Sequence, residues 1–412
     1  MGLLRDLHYD AKLLMAARGI RAFAFSYLNV VFAIYLDRIG YSTVMIGVIF
    51  TIAYLSGALL TALWGYLSDR MGRRKILMLL ALLTIISNGI LIYFTSLFFI
   101  LSAVIIANVG AGGSGGGGSG GGPFNPVEEA LLAEKCRPEN RNQIFAINSC
   151  VGSIMGSLGA LASGLPQFLQ EARGWSAVES YKPLFFLTIG FSVALLFVYR
   201  AITEQHQPRT AERKMSKSTG VFVTKMSALA VVDNFGAGLA GALVPYWFFL
   251  RFGVELKSLG VIFFASYFLA ALSFLSAPMI ARRIGVVRTM AFSHGLASLI
   301  WLSLPFATTL AIAAALIVTR SFFAYMDNPL RASFTMAMVA SDERGSAAGV
   351  TSLARIVPFG ISPTISTYLM QSVSLTLPLF IGGALQLIND VAFYLMFRHV
   401  RPPEELKSSM VQ

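Results

Sequence analysis

The sequence predicts an all-α integral membrane protein, with twelve transmembrane helices in two pseudosymmetric six-helix bundles. Three features point there: an apolar composition, an alternation of basic and non-basic connections, and a repeat that relates the two halves. The 412 residues are 56% hydrophobic and 13% charged, with a mean hydropathy of +0.70. A soluble domain is about 45–50% apolar and about 25% charged. A water-soluble globule, a disordered chain and a disulfide-stapled secreted scaffold are therefore excluded. At about 20 residues per span plus a short loop, the length accommodates about a dozen helices. Continuous apolar runs, rather than short alternating ones, favour helices over an outer-membrane barrel.

Taken in order, the polar and basic segment MGLLRDLHYDAKLLMAARGIR leads straight into a full-length apolar stretch with no small-residue cleavage site. It reads as retained, the first helix serving as its own insertion signal. Apolar spans follow at 17–37, 43–64, 76–95, 97–122, 144–169 and 183–202, then at 222–250, 258–280, 288–306, 310–328, 346–372 and 377–397. Alternate connections are basic: Arg70, Arg73, Arg74 and Lys75; Lys135, Arg137 and Arg141; Arg209, Arg213, Lys214 and Lys217; Arg282, Arg283 and Arg288; Arg344. The intervening ones hold only Arg38, Arg173, Lys182, Arg251 and Lys257. The positive-inside rule then puts both termini in the cytoplasm. It also accounts for the net charge of +12 without a nucleic-acid partner. The polar stretch TEQHQPRTAERKMSKSTG is the longest charged segment, so the expected organisation is an N-terminal bundle at 1–202, a cytoplasmic linker at 203–221 and a C-terminal bundle at 222–412. The two cysteines, Cys136 and Cys150, have no metal or redox spacing and read as ordinary small residues.

The repeat is direct. GVIF at 47–50 recurs at 260–263, and the same offset of 213 carries Gly40 onto Gly253, Arg70 onto Arg283 and Gly72 onto Gly285. Farther on, the NP pair at 125–126 matches 328–329 and Arg141 matches Arg344, at an offset of 203. The first half thus carries ten extra residues between Gly72 and Asn125. The tract GAGGSGGGGSGGG at 110–122 is the obvious place for them. It reads as a glycine-lined, unwound part of the fourth helix, as an engineered linker or as an exposed loop.

The loop after the second span, GYLSDRMGRRK at 65–75, follows a G-x-x-x-D-R-x-G-R-R pattern. Set between spans two and three and repeated in degenerate form, it resembles the signature loop of the major facilitator superfamily, and the twelve spans in two related halves resemble that family too. The resemblance covers nearly the whole chain and implies the major facilitator fold. In physical terms the loop is a cytoplasmic gate. Gly65 and Gly72 permit close helix contact and a tight turn. Asp69 can face the positive N-terminus of a neighbouring helix. Arg70, Arg73 and Arg74 can pair with carboxylates, of which Glu128, Glu129 and Glu134 are nearest by topology. In the second half, PMIARRIGVVR at 278–288 puts Arg282 where Asp69 stands, so that loop lacks the carboxylate. In the fifth span, GSIMGSLGALASGLP at 152–166 resembles the glycine-rich motif of drug-exporting members, with Ser157 in place of the expected proline; helix packing explains such spacing equally well.

Ionisable groups within spans are expensive and point to function. Arg21 in the first span maps at offset 213 onto Asn234, the neighbour of Asp233 in the seventh. The family resemblance places helices one, four, seven and ten around a central cavity. It expects an arginine in the fourth helix, where Asn108 stands, whereas the tenth supplies Arg320. Asp233 is the best single proton-carrier candidate, since burial raises a carboxyl's pKa and an adjacent arginine lowers it; the alternative is a static pair with Arg320 or Arg21. Tyr27, Asn29, Tyr246, Trp247 and Tyr325 are candidates for hydrogen bonding and stacking in the pathway, or for core packing. Asp390 and Arg355 read as structural, and His294 as a satisfied histidine without a ligand-spaced partner. No nucleotide-binding loop, metal site, cofactor motif or nucleophile constellation is present in the sequence, so an ion gradient is the expected driver and an enzyme is not expected.

The expected function is alternating-access secondary transport: proton-coupled export of small amphipathic or drug-like molecules by a monomer in the plasma-membrane bilayer. The alternatives are uptake or exchange of a small organic or inorganic anion and, from another class, a non-transporting receptor or a scramblase.

Overall fold

The computed structural model describes residues 8–109, 122–136, 141–204, 216–339 and 343–399, nearly all of them helical. The helices are α1 (Tyr9–Arg38), α2 (Thr43–Met71), α3 (Arg73–Tyr93), α4 (Leu97–Ala107), α5 (Phe124–Glu134), α6 (Arg141–Leu161), α7 (Leu165–Arg173), α8 (Lys182–Ala201), α9 (Lys217–Gly241), α10 (Val244–Phe252), α11 (Leu256–Ile284), α12 (Val286–Ser303), α13 (Leu310–Ala337), α14 (Arg344–Ser372) and α15 (Leu377–Phe397). They correspond to twelve spans. The fourth is α4 with α5, the fifth is α6 with α7 joined by a 3-10 turn at Ala162–Gly164, and the seventh is α9 with α10. Among the described residues, nine helices, counting α6–α7 and α9–α10 as one each, are long and apolar enough to cross a membrane. The fourth span, α4 with α5, and the tenth and eleventh, the continuous helices α13 and α14, the latter with Pro358 and Pro363 inside it, complete the set.

Local chemistry sets the boundaries. Ser42, Thr309 and Ser216 cap their helices by accepting from Met45 N, Ile312 N and Thr219 N. Proline occupies the first turn of α7, α8, α10 and α15, where its missing N–H costs nothing. The repeat is visible in the backbone itself. Gly40 and its counterpart Gly253 have φ of +99° and +61°, and Gly72 and its counterpart Gly285 have +100° and +91°. A left-handed or extended positive-φ turn admits glycine without strain, which is why these positions match between halves. The 213 offset also carries the first residue of α4, Leu97, onto the first of α13, Leu310. The ten extra residues therefore lie beyond Leu97. Arg320 then falls opposite Ala107 rather than Asn108. The glycine tract, apart from Gly122, lies outside the described residues, as does most of the 203–221 linker.

The fourth span departs from its expected end at 122. The chain is helical again from Phe124 to Glu134, so Glu128 and Glu129 are on a helix rather than in a loop. The glycine run hides the helical period in this stretch.

The described structure divides into two compact units, Met1–Arg209 with Leu243–Ala271, and Thr210–Ala242 with Leu272–Gln412. In the first, Leu14, Phe25, Leu77, Leu131 and Tyr199 share a core. A methyl group at Gly159 would strike the Phe23 backbone, so α1 and α6 cross at contact distance. Residues 243–271 belong to this unit: Tyr246 donates to Asp37 Oδ1 at 2.8 Å, and a Cβ on Gly260 would lie 2.9 Å from Ala160 O. In the second unit the core is built on Met226, Ala277, Met290, Phe334, Phe393 and Phe397. There α9 packs closely on α14 and α15, since a Cβ on Gly238 would come 2.7 Å from Ser362 and one on Gly236 2.8 Å from Gly382 O. Outward-facing side chains such as Phe98, Phe197, Phe292 and Phe306 are exposed, as a lipid-facing surface requires.

Candidate functional site

In the first unit, Arg21 is fully buried on α1 and is neutralised from α5. Its Nη2 donates to Glu128 Oε2 at 2.5 Å and to Asn125 Oδ1 at 2.7 Å. The guanidinium also lies 5.2 Å from the centre of the Phe124 ring. Glu128 Oε1 accepts from the Tyr199 hydroxyl at 2.6 Å, and Arg18 donates to the same Asn125 oxygen. Glu128, expected beside the signature-loop arginines, thus belongs to Arg21, because α5 places it in the bundle interior. A desolvated arginine needs a carboxylate within reach, and both of this one's oxygens are occupied.

The signature loop forms its own network. Arg73 bonds Glu134 and lies 3.4 Å from Asp69, one turn earlier. The N-terminus of α3 is occupied by Glu204, which accepts from Arg73 N at 2.6 Å and Arg74 N at 3.0 Å. Lys135 pairs with Asp10 at 2.7 Å, and Thr203 donates to the same carboxylate. Gly72 makes the turn, whereas a Cβ on Gly65 would meet nothing within 4 Å among the described residues, so the close contact expected there is not made. Arg70 is exposed and rests 4.5 Å from the Tyr66 ring centre.

The second unit holds a buried polar cluster around a histidine. His294 Nδ1 is 2.8 Å from Asp390 Oδ1, and its Nε2 is 3.7 Å from Asp233 Oδ1. Asp390 Oδ2 accepts from the Ser298 hydroxyl at 2.7 Å, and Asp233 accepts from Gln386 Nε2 at 3.3 Å. Arg331 and Arg355 also act electrostatically on Asp233. Arg320 stacks 4.2 Å from the Trp301 ring centre and bonds Tyr325, while its Nε has no hydrogen-bond partner among the described residues. Hence the groups that contact Asp233 include Gln386 and His294 rather than Arg320.

The remaining pathway candidates are dispersed. Tyr27 is buried, its hydroxyl 2.7 Å from Thr188 Oγ1. Asn29 has a buried oxygen without a hydrogen-bond partner among the described residues. Asn108 ends α4 in the left-handed conformation (φ 56°) and fills the space left by Gly57. Asn234 bonds its own helix at Ala230 O, and Trp247 is buried against Phe248 and Phe252. The side chain of Asp327 lies outside the described residues.

A family model described as the Major Facilitator Superfamily matches residues 14–355. The chain belongs to the Major Facilitator Superfamily. It shares 23% identity over 352 residues with an uncharacterized membrane protein of Saccharomyces cerevisiae, covering 73% of this chain and 78% of that one. Its fold matches a D-xylose-proton symporter (TM-score 0.71, 16% identity, 93% of this chain and 97% of that one). It also matches the human organic anion transporter MFSD10 (TM-score 0.66, 14% identity, 93% and 98%). Members of the superfamily are multi-pass membrane transporters of small molecules, and the twelve-span fold of this chain is theirs. Within this member, the sequence does not announce Glu128 and Asn125 as partners of Arg21, Tyr199 as a partner of Glu128, or His294 as the partner of both Asp233 and Asp390. A buried arginine calls for a carboxylate, so the Glu128–Glu129 pair was the available signal. His294 and Asp390 lie 96 residues apart on different helices, and no local pattern links them.

Proposed function

We propose that this chain is a secondary transporter working by alternating access, which exports small amphipathic or drug-like molecules in exchange for protons. The observation that carries the coupling is the titratable cluster of Asp233, His294 and Asp390 within membrane helices, where ionisable groups are kept only at a cost. The glycine-rich segment of α6, crossing α1 at Gly159, supports export, and the D-xylose-proton symporter gives a proton-coupled precedent for the fold. In this reading the six-helix bundles at 1–202 and 222–412 are the moving halves, joined by the 203–221 linker. Asp233, Asn234, Arg320 and Tyr325 from the second half, with Arg21, Tyr27, Asn29, Asn108 and Trp247, border or support the pathway. Gly65, Asp69, Arg70, Gly72, Arg73 and Arg74 with Glu134 and Glu204 hold the cytoplasmic gate. The protein acts as a monomer in the plasma membrane with both termini cytoplasmic.

A second reading, transport of a small organic anion, is favoured by Arg320, whose buried Nε has no hydrogen-bond partner among the described residues, and by the likeness to an organic anion transporter. Both are tested in proteoliposomes carrying a trapped pH dye, with ethidium and with an aromatic carboxylate offered in turn. Ethidium-dependent proton movement supports the first reading. Carboxylate movement abolished by Arg320→Gln supports the second, and flux of neither under any gradient supports a receptor or scramblase.

A further inference from the structure

His294 lies on α12 between two carboxylates that come from different helices, Asp233 on α9 and Asp390 on α15. The two sides of the ring differ. Asp390 is held rigidly: Oδ1 meets Nδ1 at 2.8 Å and Oδ2 accepts from Ser298. Asp390 Oδ1 faces Nδ1 and its other oxygen accepts from Ser298, so Nδ1 is the ring nitrogen placed to donate to this carboxylate and Nε2 is the one directed at Asp233. That nitrogen is 3.7 Å from Asp233 Oδ1, too far for a hydrogen bond and near enough to become one. Asp233 is also the more accessible carboxylate, its side chain 13% exposed against 5% for Asp390. The other charged groups packed around the cluster are Arg320 and Arg331 on α13 and Arg355 on α14.

We propose that His294 is the proton-binding group of this protein, with Asp390 as its positioning residue and Asp233 as the carboxylate that answers to its charge. The inference rests on the proton-coupled reading above and moves the carrier from a carboxylate to an imidazole. A proton arriving past Asp233 from a hydronium ion forms the Nε2–H bond and leaves water behind. Nδ1–H stays donated to Asp390, so no other bond breaks. The His294, Asp233 and Asp390 group passes from two negative charges to one. The new Nε2–H then donates to Asp233 Oδ1, a contact that closes by about 1 Å to reach charge-assisted hydrogen-bond length. Because Asp233 and His294 belong to different helices, that closure draws α9 toward α12. Loss of the proton releases it.

The chain has four histidines, so changing His8, His206 and His399 to glutamine leaves His294 alone to be followed. In the full chain in lipid nanodiscs, ring-labelled histidine NMR should show one singly protonated imidazole at pH 9 converting to the doubly protonated form by pH 5. In Asp390→Asn and in Asp233→Asn the conversion should need at least tenfold more protons, while in Asp37→Asn it should not move. An imidazole that keeps one form from pH 5 to 9, or that converts identically in all these variants, overturns the proposal. Transport separates it from the reading on which it rests. His294→Gln should still equilibrate ethidium downhill but should no longer drive it with a pH gradient. Proton-driven ethidium movement that survives His294→Gln overturns the assignment of the carrier and leaves the exporter reading standing. A His294 that titrates as described in a wild type that moves no ethidium contradicts the drug-export reading alone.

Discussion

Arg21 in the first unit and Asn234, beside Asp233, in the second are equivalent by the repeat, as are Glu128 and Arg331, yet the charges at the two places are reversed. In the first unit a guanidinium on α1, a group that keeps its charge, meets a carboxylate on α5. In the second, a carboxylate on α9 lies near Arg331, and a histidine from α12 has entered the cluster. The α1–α5 contact is therefore a fixed strut, whereas in the second copy the α9 carboxylate also meets a titratable group from a further helix, α12. The difference is one of chemistry rather than of fold. Histidine alone among ordinary side chains changes charge near neutrality.

The largest way to break this comparison is to remove half of the strut. Glu128→Leu removes the carboxylate that bonds the buried Arg21 and should cost about 3–5 kcal/mol, seen as a loss of folded protein and a lowered thermal midpoint in detergent. The double variant Arg21→Met with Glu128→Leu should recover most of that, because a buried pair replaced by apolar groups loses little. A second contrast lies at the crossings between helices. Gly159→Ala forces a methyl group into the Phe23 backbone and should cost about 1–3 kcal/mol. At its repeat counterpart, Ser362→Ala gives up only a hydroxyl that bonds Phe235 O and Pro358 O, and should cost about 1 kcal/mol. The two positive-φ glycines after the second and eighth spans come next. Gly285→Ala should cost about 1–2 kcal/mol from backbone strain, and Gly72→Ala somewhat more, since its methyl group would also lie 3.1 Å from Glu204. Thermal unfolding of each pair at one pH ranks them.

The smallest effect is electrostatic. Glu343, at the start of α14, accepts from Thr219 and from the backbone and hydroxyl of Ser216, and these bonds, that from Thr219 foremost, hold its carboxyl below the usual glutamate range. A carboxyl whose folded value is depressed stabilises the fold above the unfolded value, about 4.3, and loses that contribution as pH falls through the folded one. Glu343→Gln should therefore melt lower than wild type at pH 7. The gap should close toward pH 3.

The fold was almost wholly legible in the sequence, because apolar spans, basic loops and paired glycines are all local signals. Gly40, Gly72, Gly253 and Gly285 show why: each marks a turn whose backbone admits little else. The fourth span was misjudged where glycines erase the helical period, and with it Glu128 was assigned to the loop arginines. The second cluster was half legible. Asp233 stands out as a carboxylate in an apolar run, whereas His294 acquires meaning only when α12 packs on α15 and its ring comes within reach of Asp233 on α9. Asp69 was read by motif and Glu204 was not considered, since a helix N-terminus accepts whichever carboxylate the fold delivers.

The most direct test of the strut and the switch is amide hydrogen exchange at pH 6 and pH 8, corrected for intrinsic rates, on wild type and His294→Gln in nanodiscs. The account predicts a pH-dependent gain of protection at pH 6 confined to α9, α12 and α15, absent from α1, α5 and α8, and lost in His294→Gln. A protection change of equal size around Arg21, or one that persists without the imidazole, would contradict it.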